Sequence, residues 1–196
     1  MKGHRMRNAV VLGLALWLAS CAQLSHVASG EVALKQRLIV TVDRPWNQFE
    51  RGLGDQTLTW TQDGITVDAL RFYVGLKDGE LIAPTPSEPK GVKPLAFKAG
   101  MQSADVVALF EGLYTRGGST FKLDRVAPGP FAGAPGVRFE FSSIRKADDV
   151  RLLGVGWIVV RGGELFAITY TAPRLAFFPQ HLPSVEAIAA SARVRP

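Results

Sequence analysis

Apolar and polar positions alternate in three different ways along this chain. Ala9 to Ala19 (AVVLGLALWLA) is an unbroken apolar run of 11 residues. Between Gln36 and Thr171 most segments switch between apolar and polar with period two, as half-buried strands do. Ser103–Arg116 and Ser184–Val194 instead carry apolar residues at helical spacing. Residues 22–35 (AQLSHVASGEVALK) follow none of these patterns and predict a tether.

The period-two segments predict a run of hairpins. Arg37 to Val42 is rich in β-branched residues. Thr57–Thr61 and Ile65–Leu76 flank Asp63-Gly64, a hairpin signal, and Lys77-Asp78-Gly79 offers a second turn before Glu80–Ile82. Phe121–Val126, Val137–Ser142, Val150–Val160 and Glu164–Thr171 complete the set, with Gly162-Gly163 turning the last pair. Pro128 to Gly136 (PGPFAGAPG) predicts a Gly/Pro loop. Residues 83–100 hold four prolines and two glycines and predict a long irregular loop, of the kind that often carries function.

In the central helix, Ser103 can cap, Asp105 suits the positive end of the helix dipole, and Val106, Leu109, Phe110, Leu113 and Tyr114 form one apolar stripe. The C-terminal helix buries Val185, Ile188 and Ala189. Hairpin links imply antiparallel pairing. The fold class is therefore α+β: one antiparallel sheet of about six to seven strands, flanked by a central and a C-terminal helix.

The N-terminus changes the picture of where this domain works. Lys2, Arg5 and Arg7 precede the apolar run, and small residues Ala19 and Ser20 follow it, in the order of an export signal. A permanent bilayer span needs roughly 20 apolar residues, more than this run supplies. Leu18-Ala19-Ser20-Cys21 resembles the lipobox of bacterial lipoproteins. That resemblance implies cleavage between Ser20 and Cys21, lipid attachment at Cys21, and membrane partnership through that lipid. Ala22 stands where Asp would favour inner-membrane retention, so the resemblance implies an outer-membrane anchor facing the periplasm. Three regions follow: a signal peptide over 1–20, a lipidated tether over 21–35, and a single domain over 36–196.

Cys21 is the only cysteine, so the domain is held by its core without disulfides. The chain carries 23 basic and 17 acidic residues, but loss of Lys2, Arg5 and Arg7 with the signal leaves only +3. That is no footprint for nucleic acid, which calls for clustered Lys and Arg.

The order of elements in the second half resembles the PsbP-like domain. It runs from a helix through Gly136-Val137-Arg138-Phe139-Glu140-Phe141 to Gly163-Glu164-Leu165-Phe166-Ala167-Ile168-Thr169-Tyr170, an Ala172-Pro173 break and a closing helix. Trp60-Thr61-Gln62-Asp63-Gly64 is similar to a set of proteobacterial lipoproteins. The resemblance implies a fold and a non-enzymatic accessory role, and it transfers no functional residue.

Candidate chemistry is sparse. His4, His26 and His181 are far apart and match no zinc spacing, and no cofactor motif stands out. Hydrolytic Ser/His/Asp chemistry would need His181 as base, yet no Gly-x-Ser-x-Gly elbow exists. The bland reading of His181 is a surface or capping histidine. Gly154 and Gly156 predict a bulge or close packing against Trp157 or a helix. Trp46 and Phe97, in loop-like segments, are the candidate binding surface. The expectation is a membrane-anchored, non-catalytic binding or assembly module of the cell envelope that contacts an envelope protein through the 83–100 loop. A hydrolase using His181 and a carrier of a small apolar ligand are the alternatives.

Overall fold

A computed structural model describes residues 24–49, 57–83 and 94–195. Cys21, the signal segment and the middle of the 83–100 loop lie outside the described residues.

The strands are β1 (Leu24–Val27), β2 (Gly30–Leu34), β3 (Leu38–Val42), β4 (Trp46–Phe49), β5 (Thr57–Thr61) and β6 (Ala69–Leu76). Helix α1 (Ser103–Thr115) follows, then β7 (Lys122–Phe131), β8 (Ala134–Ile144), β9 (Arg151–Arg161) and β10 (Glu164–Pro173). Helix α2 (Phe177–Ser191) and β11 (Arg193–Val194) close the chain. Eight strands form one sheet in the order β1-β4-β5-β6-β10-β9-β8-β7, and β11-β3-β2 form a small second sheet. Every pairing is antiparallel. The α+β class is as the patterning predicts, with more strands than the six or seven expected.

The large sheet is buried on both faces, because alternate residues of its central strands feed two separate cores. On one side Tyr73, Phe139, Phe141, Ile158 and Leu165 pack with Val106, Leu109 and Phe110 of α1. On the other, Trp60, Phe72, Trp157, Phe166 and Tyr170 pack with Val185 and Ile188 of α2 and with Leu38 and Val40 of the small sheet. At roughly 25 cal/mol per Å² of apolar surface buried, these two layers hold a disulfide-free domain together.

Besides Trp46–Phe49, read as loop-like and observed as β4 paired with β1 and β5, four segments differ from expectation. Residues 24–34 were expected as part of a tether and instead supply β1 and β2. Their alternation is too short to register as period two. Each strand gains its place from a distant partner, β1 from β4 and β2 from β3.

The Gly/Pro stretch 128–136 is the end of the β7–β8 hairpin. Ala132 and Gly133 turn it with φ of 51° and 78°, the left-handed pair a two-residue hairpin needs. Phe131 and Ala134 flank that turn, so Pro130 and Pro135 fall at a non-hydrogen-bonded pair, as do Pro128 and Val137. The nitrogens of Pro128 and Pro130 therefore point away from β8. Strand β7 lies at the sheet edge, where a missing donor leaves no partner stranded.

The strand expected from Ile65 starts at Ala69, because Asp68 folds residues 62–68 into a turn. Helix α2 begins at Phe177 rather than Ser184 and contains Pro183 in its second turn. The proline removes one intrahelical donor, and burial of Phe178 and His181 on the same face as Val185 and Ile188 offsets that loss.

Gly154 and Gly156 serve close packing, but against neither Trp157 nor a helix. Phe141 pairs with Gly154 and Phe139 with Gly156 across the β8–β9 ladder, each ring filling the place a side chain would take.

Candidate functional site

Both residues expected to form a binding surface lie inside the protein. Trp46 is 1% exposed and Phe97 is fully buried. Trp46 follows the Pro45 turn, pairs with Val27 and enters the core beneath α2. Phe97 sits in the returning limb of the 83–100 loop. Its N–H donates to the Glu80 carbonyl at 2.8 Å, its carbonyl accepts from Gly79, and its ring packs under α1. Their turn-like sequence neighbourhoods gave no hint that Trp46 opens a strand of the large sheet or that the Phe97 limb is pinned by backbone bonds to Gly79 and Glu80.

His181 is neither a surface histidine nor an exposed one. It faces inward from α2 and is 3% exposed. Its Nε2 lies 2.6 Å from Oδ2 of Asp63, and its ring meets Trp46 edge to face with centroids 6.3 Å apart. One turn along the helix, the Ser184 hydroxyl donates to Asp43 at the end of β3. Burial works against ionisation of Asp43, yet the Ser184 hydroxyl and Arg44 outweigh it and hold the carboxyl below its usual range.

Asp63 is positioned by a buried carboxylate. Asp68 accepts from the Thr61 hydroxyl at 2.6 Å, from the Gln62 N–H at 3.0 Å and from the Asp63 N–H at 2.8 Å. Gly64 completes the turn with φ of 107°, and its N–H donates to the Thr61 hydroxyl. The β5–β6 turn thus presents Asp63 to α2 at a fixed place.

The chemistry of this cluster is that of a clasp. A nucleophilic triad needs a hydroxyl on one ring nitrogen and a carboxylate on the other. His181 has the carboxylate, but its Nδ1 is buried without a partner, and the neighbouring Ser184 is committed to Asp43. Two polar side chains of α2 are instead tied to two acidic turns of the sheets.

Among the described residues no group of three or more His, Cys, Asp or Glu is placed to hold a metal ion, and no helix is long and apolar enough to cross a membrane. Three surface hollows among the described residues lie elsewhere. An open apolar one of roughly 530 Å³ sits at the tip of the β7–β8 hairpin among Pro128, Pro130 and Pro135. Two others lie on opposite faces of the sheet near the shared end of β8 and β9: about 150 Å³ on the α1 face, among Arg71, Tyr114, Ser143 and Thr171, and about 300 Å³ on the other, among Lys122, Ser142, Arg151 and Leu153.

No family profile matches the chain, and no curated protein does. Solved structures do match. CyanoP, the cyanobacterial PsbP of Synechocystis, superposes with a TM-score of 0.55 at 12% identity over 91% of this chain and 96% of its own. A Pseudomonas aeruginosa protein of unknown function, PA94, gives 0.47 at 16% identity over 87% and 99% of the two chains. LpqN of Mycobacterium tuberculosis, involved in cell envelope biogenesis, gives 0.35 at 8% identity over 91% and 88%. The last two scores fall short of a shared fold. The CyanoP match spans nearly all of both chains and shows the architecture alone: this chain has a PsbP-like fold.

Proposed function

We propose that this protein is a lipoprotein of the cell envelope whose PsbP-like domain acts as a non-catalytic binding or assembly module held close to the membrane. The observation that carries the reading joins the lipobox to the fold. Leu24, the first residue of β1, comes only three residues after Cys21. At about 3.5 Å per extended residue, that link reaches on the order of 10 Å. A domain so tied works on partners at or beside the bilayer. The acyl chains on Cys21, at about 0.8 kcal/mol per buried methylene, supply the anchoring. The outer membrane, periplasmic face, is the location implied by Ala22. The non-catalytic part of the reading draws on the closed His181 clasp.

The test is metabolic palmitate labelling and fractionation of the wild type and Cys21→Ala, followed by crosslinking in intact cells. The expected result is label and membrane association in the wild type only, with a discrete crosslinked envelope protein recovered only with the anchored form. Label or membrane retention in Cys21→Ala overturns the anchor. An esterase or amidase activity lost in His181→Ala overturns the non-catalytic reading.

A further inference from the structure

The end of the β7–β8 hairpin leaves apolar surface exposed. From Val126 to Val137 no side chain carries a polar group. Val126, Pro128 and Pro130 alternate along β7, and Pro135 pairs with Pro130, so the four share the face of the sheet that bears α1. All four are exposed there, Val126 by 49%. The three prolines border the open apolar hollow of roughly 530 Å³. An exposed apolar patch at a fixed place on a hairpin marks a contact site.

The backbone of this patch is short of donors as well. Pro128, Pro130 and Pro135 fall at the positions whose nitrogens point out of the hairpin, and none carries an N–H. Val137, the fourth such position, turns toward Ile158 of β9. At the turn, the exposed Arg161 donates to the Ala132 carbonyl at 3.4 Å. The chain leading back to Cys21 leaves from this same end of the sheet. Leu24 pairs with Phe49, Phe49 with Thr59, Thr57 with Tyr73, Leu76 with Leu165, Glu164 with Arg161, and Ile158 with Val137. These pairings run along one end of the strands from the start of β1 to the hairpin. Twist fans the strand ends apart but keeps them at one end of the sheet. Across the strand order, β1 and β8 stand roughly 29 Å apart at about 4.8 Å per strand.

We infer that the hairpin end rests in the interface of the lipid bilayer, as a second point of contact beside the anchor. This rests on the acylation of Cys21. A link of three residues holds Leu24 within on the order of 10 Å of the bilayer, so the end of the sheet that bears Leu24 is the end that meets lipid. Hydrocarbon accepts a surface without polar side chains and without unpaired backbone donors. The hairpin end meets both conditions along its strands. A protein partner brings polar groups that this patch has no side chain to answer. Arg161, beside the turn, keeps its guanidinium at the level of the lipid phosphates while the prolines sit deeper. The acyl chains then hold one edge of the sheet and the hairpin holds the other, which fixes how the domain stands on the membrane.

The experiment places the acylated chain in vesicles of phosphatidylethanolamine and phosphatidylglycerol, with acyl chains brominated in one sample and plain in the other. A fluorophore is attached to the hairpin through Pro135→Cys, or on the same face through Pro128→Cys should the first variant fail to fold. The reference label is at Ala147→Cys, exposed in the turn between β8 and β9 at the opposite end of the strands. Acylation occupies Cys21, so each label has one site. The expected result is bromine quenching several-fold stronger on the hairpin than at Ala147, falling to the Ala147 level when Pro130→Asp puts a charge on the patch. Equal quenching at the two sites, in a chain that floats with the vesicles, overturns the inference and leaves the anchor standing. So does hairpin quenching that Pro130→Asp leaves unchanged. A chain that stays behind in solution carries no anchor, and overturns the Cys21 reading and this inference together.

Discussion

The ring of Phe141 occupies the space that a side chain on Gly154 would need: its Cζ lies 2.1 Å from where a Cβ would stand. Phe139 does the same to Gly156 at 2.3 Å. These pairs sit at matched register between β8 and β9 and let α1 approach the sheet closely. Gly154→Ala is expected to destabilise the domain by about 2–3 kcal/mol through overpacking. Phe141→Ala is expected to cost about 3–5 kcal/mol through the cavity it leaves. Urea unfolding measures both. If Gly154→Ala is neutral, the ring is not confined as described.

The His181–Asp63 contact is expected to act in stability. His181→Ala removes a buried hydrogen bond and leaves a void beside Trp46, at about 2–3 kcal/mol. Asp63→Asn keeps an acceptor oxygen and is expected to cost about 1 kcal/mol. Thermal unfolding of the two variants tests the order. A larger loss for Asp63→Asn would mean that the negative charge itself is required.

Asp68 is the organiser of the β5–β6 turn. Asp68→Ala strips acceptors from Thr61, Gln62 and Asp63 at once and is expected to cost about 3 kcal/mol. Because Asp63 rides on that turn, the double variant Asp68→Ala/His181→Ala is expected to lose less than the sum of the singles. Additive losses would show that turn and clasp are independent.

Burial pushes the Tyr73 hydroxyl well above its ordinary range, with Tyr114 adding to the effect, and burial with Asp68 and Asp63 does the same to Tyr170. A folded-state value above the unfolded one, about 10, keeps the stabilising contribution intact below that pH. The contribution is lost as pH rises from there toward the folded values. Stability is therefore expected to fall above about pH 10, each tyrosine adding a slope of about 1.4 kcal/mol per pH unit. Tyr73→Phe and Tyr170→Phe each remove that share. An unchanged alkaline slope in both would place the tyrosines outside the cause.

Legibility in the sequence followed the range of the interactions involved. The alternation of Val137–Ser142, the Asp63-Gly64 turn and the stripe Val106–Leu109–Phe110–Leu113 are set by neighbours a few residues apart, and the structure keeps all three. Strands β1 and β2 were illegible because their ladders close with β4 and β3. The 128–136 segment read as a loop because prolines and glycines signal breaks. An edge strand tolerates them, and edge position is a property of the assembled sheet. The His181 clasp joins residues 118 apart. No spacing in the chain announces it.

The two rims of the large sheet also say something about life at a crowded surface. One rim is β1, four residues long, and the other is β7, whose Pro128 and Pro130 turn two donor-less nitrogens outward. An exposed rim with a full row of donors invites a neighbouring copy to zip on as the next strand. Proteins concentrated in the plane of a membrane meet one another far more often than the same proteins in solution. A rim of four residues and a rim with gaps offer such a neighbour few donors, which would keep copies of the proposed lipoprotein from joining edge to edge at the membrane.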